Sequence, residues 1–339
     1  MKVTIKDVAR EANVATSTVS RVLSNSSKIS EATKQKVNEA IKKLNYTPNI
    51  VARGLANRKT RILAVVLPQG ADELFANPFF TQAMKGISIC AQREDYYIMY
   101  AFKDNKDEGW LKKFTQSNLV DGICLFNARD NDEDINYLRD ISFPFVIIGR
   151  PENVEDVNNI NDLLWVDNDN FEAMYKLTQR LIDMGHKEVG FVGAKEYLNV
   201  EKDRLEGYKQ GLFSRGILLN NDIIYEMNDF AENEGYLAAK ELLKNKCITA
   251  ILAADDLLAI GIQRYLLENN LNNIAVVGFN NTFLGLYQKT PLASVDINSE
   301  SLGFYATKLL IDNLENKEDK RNFYIIDTKL IERESLFLK

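Results

Sequence analysis

Histidine is nearly absent from this 339-residue sequence, which holds one, and cysteine is scarce, with three. One imidazole, His186, leaves no histidine metal cluster and a single candidate for a Ser-His-Asp relay. Cys90, Cys124 and Cys247 are widely spaced, lie among apolar residues and form no CxxC pair, so buried thiols are expected rather than a disulfide framework or a metal site. Neither GxGxxG nor GxxxxGK[ST] occurs, which removes the common phosphate-cradling loops. No apolar run reaches membrane-span length, and Met1 to Asp7 lacks the apolar core of a secretion signal. These absences imply a cytoplasmic protein that is not an enzyme, needs no cofactor or metal and does not contact a membrane.

Hydrophobic content of 45% and charged content of 27% are ordinary for a globular chain, and the length predicts two or three domains. The net charge of −6 is unevenly distributed. Residues 1–61 carry 13 Lys and Arg against 4 Asp and Glu, net +9, leaving −15 for the rest. A basic head on an acidic body suits a head that meets a polyanion, although a merely solvated basic terminus would look the same.

The head predicts three short helices. Thr4 precedes Asp7 by three residues, so its hydroxyl can accept from an orphan helix N–H while the acid suits the positive helix start. Val8, Ala9 and Ala12 then supply an inward face. After a break at Asn13, a second helix over Thr16 to Leu23 turns Val19, Val22 and Leu23 inward and Thr16, Ser17, Thr18, Ser20 and Arg21 outward. Ser30 caps a third helix whose core stripe is Val37, Ala40, Ile41 and Leu44. A tight break between the first two helices is the helix-turn-helix arrangement, in which the second helix enters the DNA major groove. A small helical bundle with a polar surface is the alternative. Asn49 can cap a further two-turn helix, too short to hold alone in water. Its Leu55 has no obvious place to bury unless it wedges into a minor-groove base step or packs on the body.

From residue 61 onward, apolar strand-like runs alternate with helical patterns, which predicts parallel sheets with helices on both faces. Strands are expected at Ile62–Leu67, Tyr97–Phe102, Gly122–Phe126, Phe145–Ile148, Val189–Val192, Ile248–Ala253, Ala275–Phe279, Leu292–Ile297 and Tyr324–Ile331. A helix is expected from Asp203 to Arg215, among others. Two similar lobes with several crossings suggest a clamshell whose interlobe cleft holds a ligand.

The run VTIKDVAREANVATSTVSRVLSNSSKISEATKQKVNEAIKKLNYTPNIVARGLA resembles, without gaps, the DNA-binding headpiece and hinge helix of the lactose/galactose repressor family. The segments NPFF, MGHKEVGFVG, KDRLEGYKQGL, AADDLLAIG, VVGFNNT and PLASVDIN resemble the same family's effector-binding core, which shares its fold with periplasmic sugar-binding proteins. IIGRP, VDNDN, KDRLEGY and VVGFNNT look most like the maltose-operon repressors of Gram-positive bacteria. The resemblance implies a helix-turn-helix headpiece at 1–47, a hinge helix and linker at 48–60, and a two-lobed α/β core at 61–339. Its N-lobe would hold about 61–160 and 292–322, and its C-lobe about 161–291 and 323–339. It further implies a homodimer on a pseudo-palindromic double-stranded operator, controlled by a small sugar.

Carried over by position, Thr16, Ser17 and Arg21 look like base readers, and Thr4, Thr18, Ser20 and Ser24 like phosphate contacts. Leu55 looks like the groove wedge, with Ala52 beside it and Asn49 capping their helix. Ala15 departs from the capping Ser common in the family, which moves the helix start to Thr16. Gly54 loosens the hinge helix by about 1 kcal/mol. His186 falls in the family's helix-to-strand turn, where a structural role is expected.

A sugar cleft pairs aromatic faces with carboxylates, amides and Arg that take hydroxyls. Candidates are Asn77, Phe79, Phe80, Arg150, Asp167, Asn168, Arg204, Asp255 and Asn280. Phe79 and Phe80 are equally readable as core residues at a helix start. Arg204 matches the family's sugar-gripping Arg, against a helix-surface ion pair with Glu201. Asn280 stands where many relatives have Asp. The sequence leaves open whether the effector induces or corepresses. A second reading is a catabolite-control regulator with a phosphorylated carrier protein as corepressor, although the helix from Phe79 to Arg93 offers only Lys85 and Arg93 to such a partner. No heptad run marks the C-terminus, so a tetramerising coiled coil is not expected.

Overall fold

The computed structural model describes residues 3–23, 26, 28–47, 59–67, 77–102, 109–126, 132–151, 163–194, 198–244, 247–317 and 321–338, without the side chain of residue 113. The expected contacts Ser24, Asn49, Ala52 and Leu55, and the hinge helix with Gly54, lie outside the described residues. The chain forms two compact units: residues 1–61 with 117–121, and residues 62–116 with 122–339.

The first unit holds α1 (Ile5–Glu11), α2 (Thr16–Leu23) and α3 (Glu31–Lys43). Val8, Ala9, Val19, Val22, Val37 and Ala40 meet in its core, with Ile5, Leu23, Ile41 and Leu44 packed around them. This is the predicted inward stripe of each helix. Asn13 adopts φ 50° between α1 and α2, a left-handed turn that asparagine tolerates better than most residues. Ser30 accepts from the Thr33 N–H and so caps α3. Thr4 and Asp7 form a capping box at the start of α1, in which the Asp7 carboxylate accepts from both the Thr4 N–H, at 3.0 Å, and the Thr4 hydroxyl, at 2.7 Å. These two bonds hold Asp7 below the usual carboxylate range.

The second unit holds two six-stranded sheets. Its elements run β1 (Ile62–Leu67), α4 (Pro78–Arg93), β2 (Tyr97–Phe102), α5 (Trp110–Gln116), β3 (Gly122–Phe126), α6 (Glu133–Asp140), β4 (Phe145–Ile148), β5 (Leu164–Asn168), α7 (Asn170–Asp183) and β6 (Val189–Ala194). There follow α8 (Asn199–Phe213), β7 (Ile224–Met227), α9 (Glu232–Leu242), β8 (Ala250–Ala253), α10 (Asp256–Glu268), β9 (Ala275–Phe279), β10 (Ala293–Asp296), α11 (Ser299–Leu314), β11 (Phe323–Ile326) and β12 (Lys329–Ile331).

The first sheet has the order β11-β5-β4-β3-β1-β2 and the second β12-β10-β9-β8-β6-β7. All ladders are parallel except β10 with β12. Strands β1, β3, β4, β8 and β9 are buried along almost their whole length, as parallel strands covered on both faces must be. Helices pair across the sheet faces at glycine. A Cβ on Gly86 of α4 would sit 1.9 Å from the Glu300 carbonyl oxygen on α11, so glycine is required at this close crossing.

Four expectations change. The segment Tyr324–Ile331 is two strands, β11 in the first sheet and β12 in the second. The lobe limits at 160, 291 and 322 shift with it: β5 and β11 belong to the first sheet and β10 to the second. Apolar periodicity marks a strand, but it does not name the sheet that the strand joins. α8 begins at Asn199, a turn before the expected Asp203, because Leu198 caps it with no side-chain hydrogen bond and leaves no capping signature to read. Cys90 and Cys124 are buried, with burial pushing both thiols up to about 12, whereas Cys247 is exposed.

Candidate nucleic-acid face and effector cleft

On α2 the side chains divide as the spacing requires. Val19 and Val22 are buried; Thr16, Ser17 and Arg21 are exposed; Thr18 and Ser20 are half-buried at the flank. Ser17 and Arg21 stand four residues apart, one above the other on the outer face. The helix starts at Thr16, with the Ala15 carbonyl accepting from the Thr18 and Val19 N–H groups at 2.9 and 3.2 Å. Its first turn thus presents hydroxyls, backbone N–H groups and no acid, a surface suited to phosphate and base edges. Thr4 is exposed too, with its hydroxyl already donating to Asp7.

In the second unit a cleft of about 630 Å³, counting the solvent at its mouth, opens between the two sheets. All nine candidates line it: Asn77, Phe79, Phe80, Arg150, Asp167, Asn168, Arg204, Asp255 and Asn280. They converge because eight of them sit at a strand's carboxyl end or a helix start, while Arg204 reaches in from the second turn of α8. Asn77 caps α4, accepting from the Phe79 N–H at 3.0 Å. Asp255 caps α10, accepting from the Leu257 N–H at 2.6 Å. These two caps face each other across the cleft, and the Asn77 amide donates to the Asp255 carboxylate at 3.1 Å. The Asn280 amide donates to the same oxygen at 2.7 Å, and Asn280 Oδ1 is buried with no hydrogen-bond partner. That atom is an acceptor waiting for a donor. Asn280 and Asn281 take φ 104° and 50°, adjacent strained positions at the cleft edge.

Arg204 is 4% exposed, so its ion pair with Glu201 is buried and not on the helix surface. Its Nε and Nη2 donate to Asn170 Oδ1 at 3.1 and 3.0 Å, and its Nη1 donates to the Ala254 carbonyl at 2.6 Å. The guanidinium lies 4.0 Å from the centroid of the Phe279 ring. Glu201 is present, buried, at 3.6 Å. It lies beneath Arg204 because α8 begins early, and its other oxygen accepts from the Ala194 N–H at 2.8 Å. Phe79, Phe80 and Phe126 form an edge-on cluster with centroids 5.1 to 6.1 Å apart. Phe79 and Phe80 therefore serve both readings, packing on the core and lining the cleft.

Burial raises the carboxylates here. Asp167 and Asp255 are pushed up to about 6, and Glu201 to about 7, against the pull of N–H donors, of Arg150 on Asp167 and of Arg204 on the other two. Burial also lowers Arg204, which Glu201 and Asp255 counter. His186 is buried in its helix-to-strand turn, with Nδ1 3.0 Å from the Thr249 hydroxyl.

Sequence reasoning missed Asn170, Asn199 and Phe230, which also line the cleft. Asn170 is legible as the third residue after Asp167 in VDNDN. Asn199 was hidden by the misplaced start of α8. Phe230 precedes α9 outside any periodic element, so no pattern marks it.

Comparison with known proteins agrees with this division. The family described as bacterial regulatory proteins, lacI family, matches residues 4–49. A periplasmic binding protein-like domain matches residues 178–336. The HTH-type transcriptional regulator MalR of Streptococcus pneumoniae is 36% identical over 341 residues, covering 98% of this chain and 100% of that protein. Catabolite control protein A of Priestia megaterium is 32% identical over 326 residues, covering 94% of each. The solved complex of the transcriptional regulator CelR with cellobiose superposes with a TM-score of 0.76 at 27% identity, covering 98% of this chain and 100% of that one. These relatives are regulators of transcription, not enzymes. With a helix-turn-helix head, a two-sheet core and relatives aligned along almost its whole length, the chain belongs to the lacI family of bacterial regulatory proteins.

Proposed function

We propose that this regulator is a sugar-controlled repressor that binds a pseudo-palindromic operator as a homodimer. The observation that carries the DNA half is the outer face of α2: Thr16, Ser17 and Arg21 are exposed opposite buried Val19 and Val22. In this reading Thr16, Ser17 and Arg21 read base edges, and Thr4, Thr18, Ser20 and Ser24 hold phosphates, Thr4 after exchanging Asp7 for the phosphate. Asn49, Ala52 and Leu55 act in the minor groove from the hinge.

The effector half rests on the chemistry of the cleft. Its lining combines two carboxylates, Asp167 and Asp255, the guanidinium of Arg204, the amides of Asn77 and Asn280, and the rings of Phe79, Phe80 and Phe230. Such a lining suits an uncharged polyhydroxyl ligand with one apolar ring face. Maltose or a maltodextrin is the first effector to test, since the core segments resemble maltose-operon repressors and a relative is solved with the disaccharide cellobiose.

Dimerisation is supported by exposed aromatics. Tyr97, Tyr100 and Phe102 line the edge strand β2, and Tyr287 is 82% exposed beside Phe283 and Leu286. A monomer leaves such edges and patches open to pairing. The catabolite-control alternative needs a basic docking face on α4. There Lys85 is paired with Glu300 at 2.6 Å and Arg93 lies over the Phe304 ring, so a pull-down with a phosphorylated carrier protein is expected to recover nothing.

The test is operator binding by fluorescence anisotropy with and without maltose. A change in dissociation constant supports the reading, and its direction distinguishes inducer from corepressor. Identical curves across millimolar maltose would remove this sugar as effector.

A further inference from the structure

The chain passes between the two sheets three times: after β5 at residues 168–170, after β10 at 297–298 and after β11 at 327–328. Asn168 ends the first sheet's β5 and is 1% exposed. Its amide nitrogen donates to the Ile297 carbonyl at 3.0 Å, in the second crossing. The same nitrogen donates to the Ile326 carbonyl at 2.8 Å, where the third begins. A carboxamide has two N–H bonds fixed in one plane. Here each is committed to a different crossing, while the residue itself belongs to the remaining one.

We propose that Asn168 is a positioning residue that pins all three crossings at one point, so that the two lobes turn about a single pivot when the cleft is occupied. It acts on the effector response through the pivot and not by gripping the effector, because both its donors are already committed. The geometry supplies a path from cleft to pivot through consecutive residues. Asp167 Oδ1 accepts from the Asn168 N–H at 2.8 Å and from the Asn170 amide at 3.0 Å. Asp167 Oδ2 accepts from the Arg150 N–H at 2.9 Å, on the first-sheet side. Asn170 Oδ1 in turn receives Arg204 from the second-sheet side. A ligand that engages Arg204 or Asp167 thus pulls on groups adjoining the pin. Asp offers no donor at this position, Leu none and Ser one, so only the amide ties both partners at this reach.

The role of the pivot in the response rests on the sugar-controlled reading above, whereas the pin itself does not, and the experiment separates them. Spin labels on Asp140→Cys of α6 and Lys240→Cys of α9, both exposed, report the distance between lobes in the full chain with Cys247→Ser. In Asn168→Ala, without maltose or DNA, the distance distribution is expected to broaden relative to the parent. Asn168→Ser, which keeps one donor, is expected to fall between the two and serves if the alanine variant does not fold. A distribution of unchanged width and centre in a folded variant overturns the pin. Operator affinity is then measured with and without maltose. Loss of the maltose-dependent change in the variants supports the pivot, and a response equal to the parent's overturns it. If the parent itself ignores maltose, the effector reading fails while the distance widths still decide the pin.

Discussion

Arg21 and Asp255 carry the sharpest expectations. Arg21 is exposed on the outer face of α2, where a guanidinium can take a guanine edge bidentately or a phosphate. Arg21→Ala is expected to cost about 1–3 kcal/mol of operator affinity and to relax preference at one base pair, read by anisotropy on single-substituted operators. A uniform loss across all sequences would instead make Arg21 a phosphate contact. Burial disfavours the charge of Asp167 and Asp255 and pushes both up to about 6. Sugar hydroxyls donate to the ionised form, so binding is favoured above that value and lost as protons return. The maltose dissociation constant is expected to rise as pH falls through about 6, by up to roughly tenfold per pH unit for each carboxylate. Titration calorimetry between pH 5 and pH 8, each about one unit or more from that value, checks it; a flat profile would mean that neither acid receives a hydroxyl.

At the scale of elements, α4 and α11 meet where Gly86 faces the Glu300 backbone and Gly303 faces that of Ala83. These helices cover the first sheet and set the position of Asn77 at the mouth of the cleft. Gly86→Ala must push the helices apart and is expected to lower stability by about 1–3 kcal/mol, seen as a lower urea midpoint with an unchanged slope. Element positions were largely legible in the sequence: β1, β2, β3, β4 and β9 match the expected limits residue for residue. Their apolar runs and flanking turns are strong local signals. β7 was missed because its residues are only partly buried and lack a continuous apolar run. The start of α8 was missed because a leucine carries no capping chemistry.

Across the whole molecule, assembly and stability have separate signatures. Tyr287, 82% exposed, is expected to bury on dimerisation, and Tyr287→Asp should shift sedimentation toward the monomer and weaken operator binding with it. Retention of the dimer would place the interface elsewhere. Glu201 and Asp256 are raised to about 7 by burial, so the folded state holds their protons longer than the unfolded chain. Their contribution to stability therefore falls as pH rises from the unfolded carboxyl range toward 7. The thermal midpoint is expected to drop between about pH 5 and pH 7, and a rise over that window would contradict these shifts.

Local features are written in side-chain order along the chain: three helices with a polar face on the second, alternating strands and helices, and nine cleft candidates, eight of them at strand ends or helix starts. Those are consequences of side-chain periodicity and capping, which act over a few residues. Long-range packing sets which sheet β5, β10 and β11 join, the burial of Glu201 beneath Arg204, and the two bonds from the Asn168 amide to Ile297 and Ile326. The pairing of β5 with β11 and the two bonds of Asn168 join residues more than a hundred positions apart, the burial of Glu201 follows from a helix start with no local signal, and an apolar run such as β10 does not name its sheet. A buried donor takes whichever carbonyl the fold brings within reach.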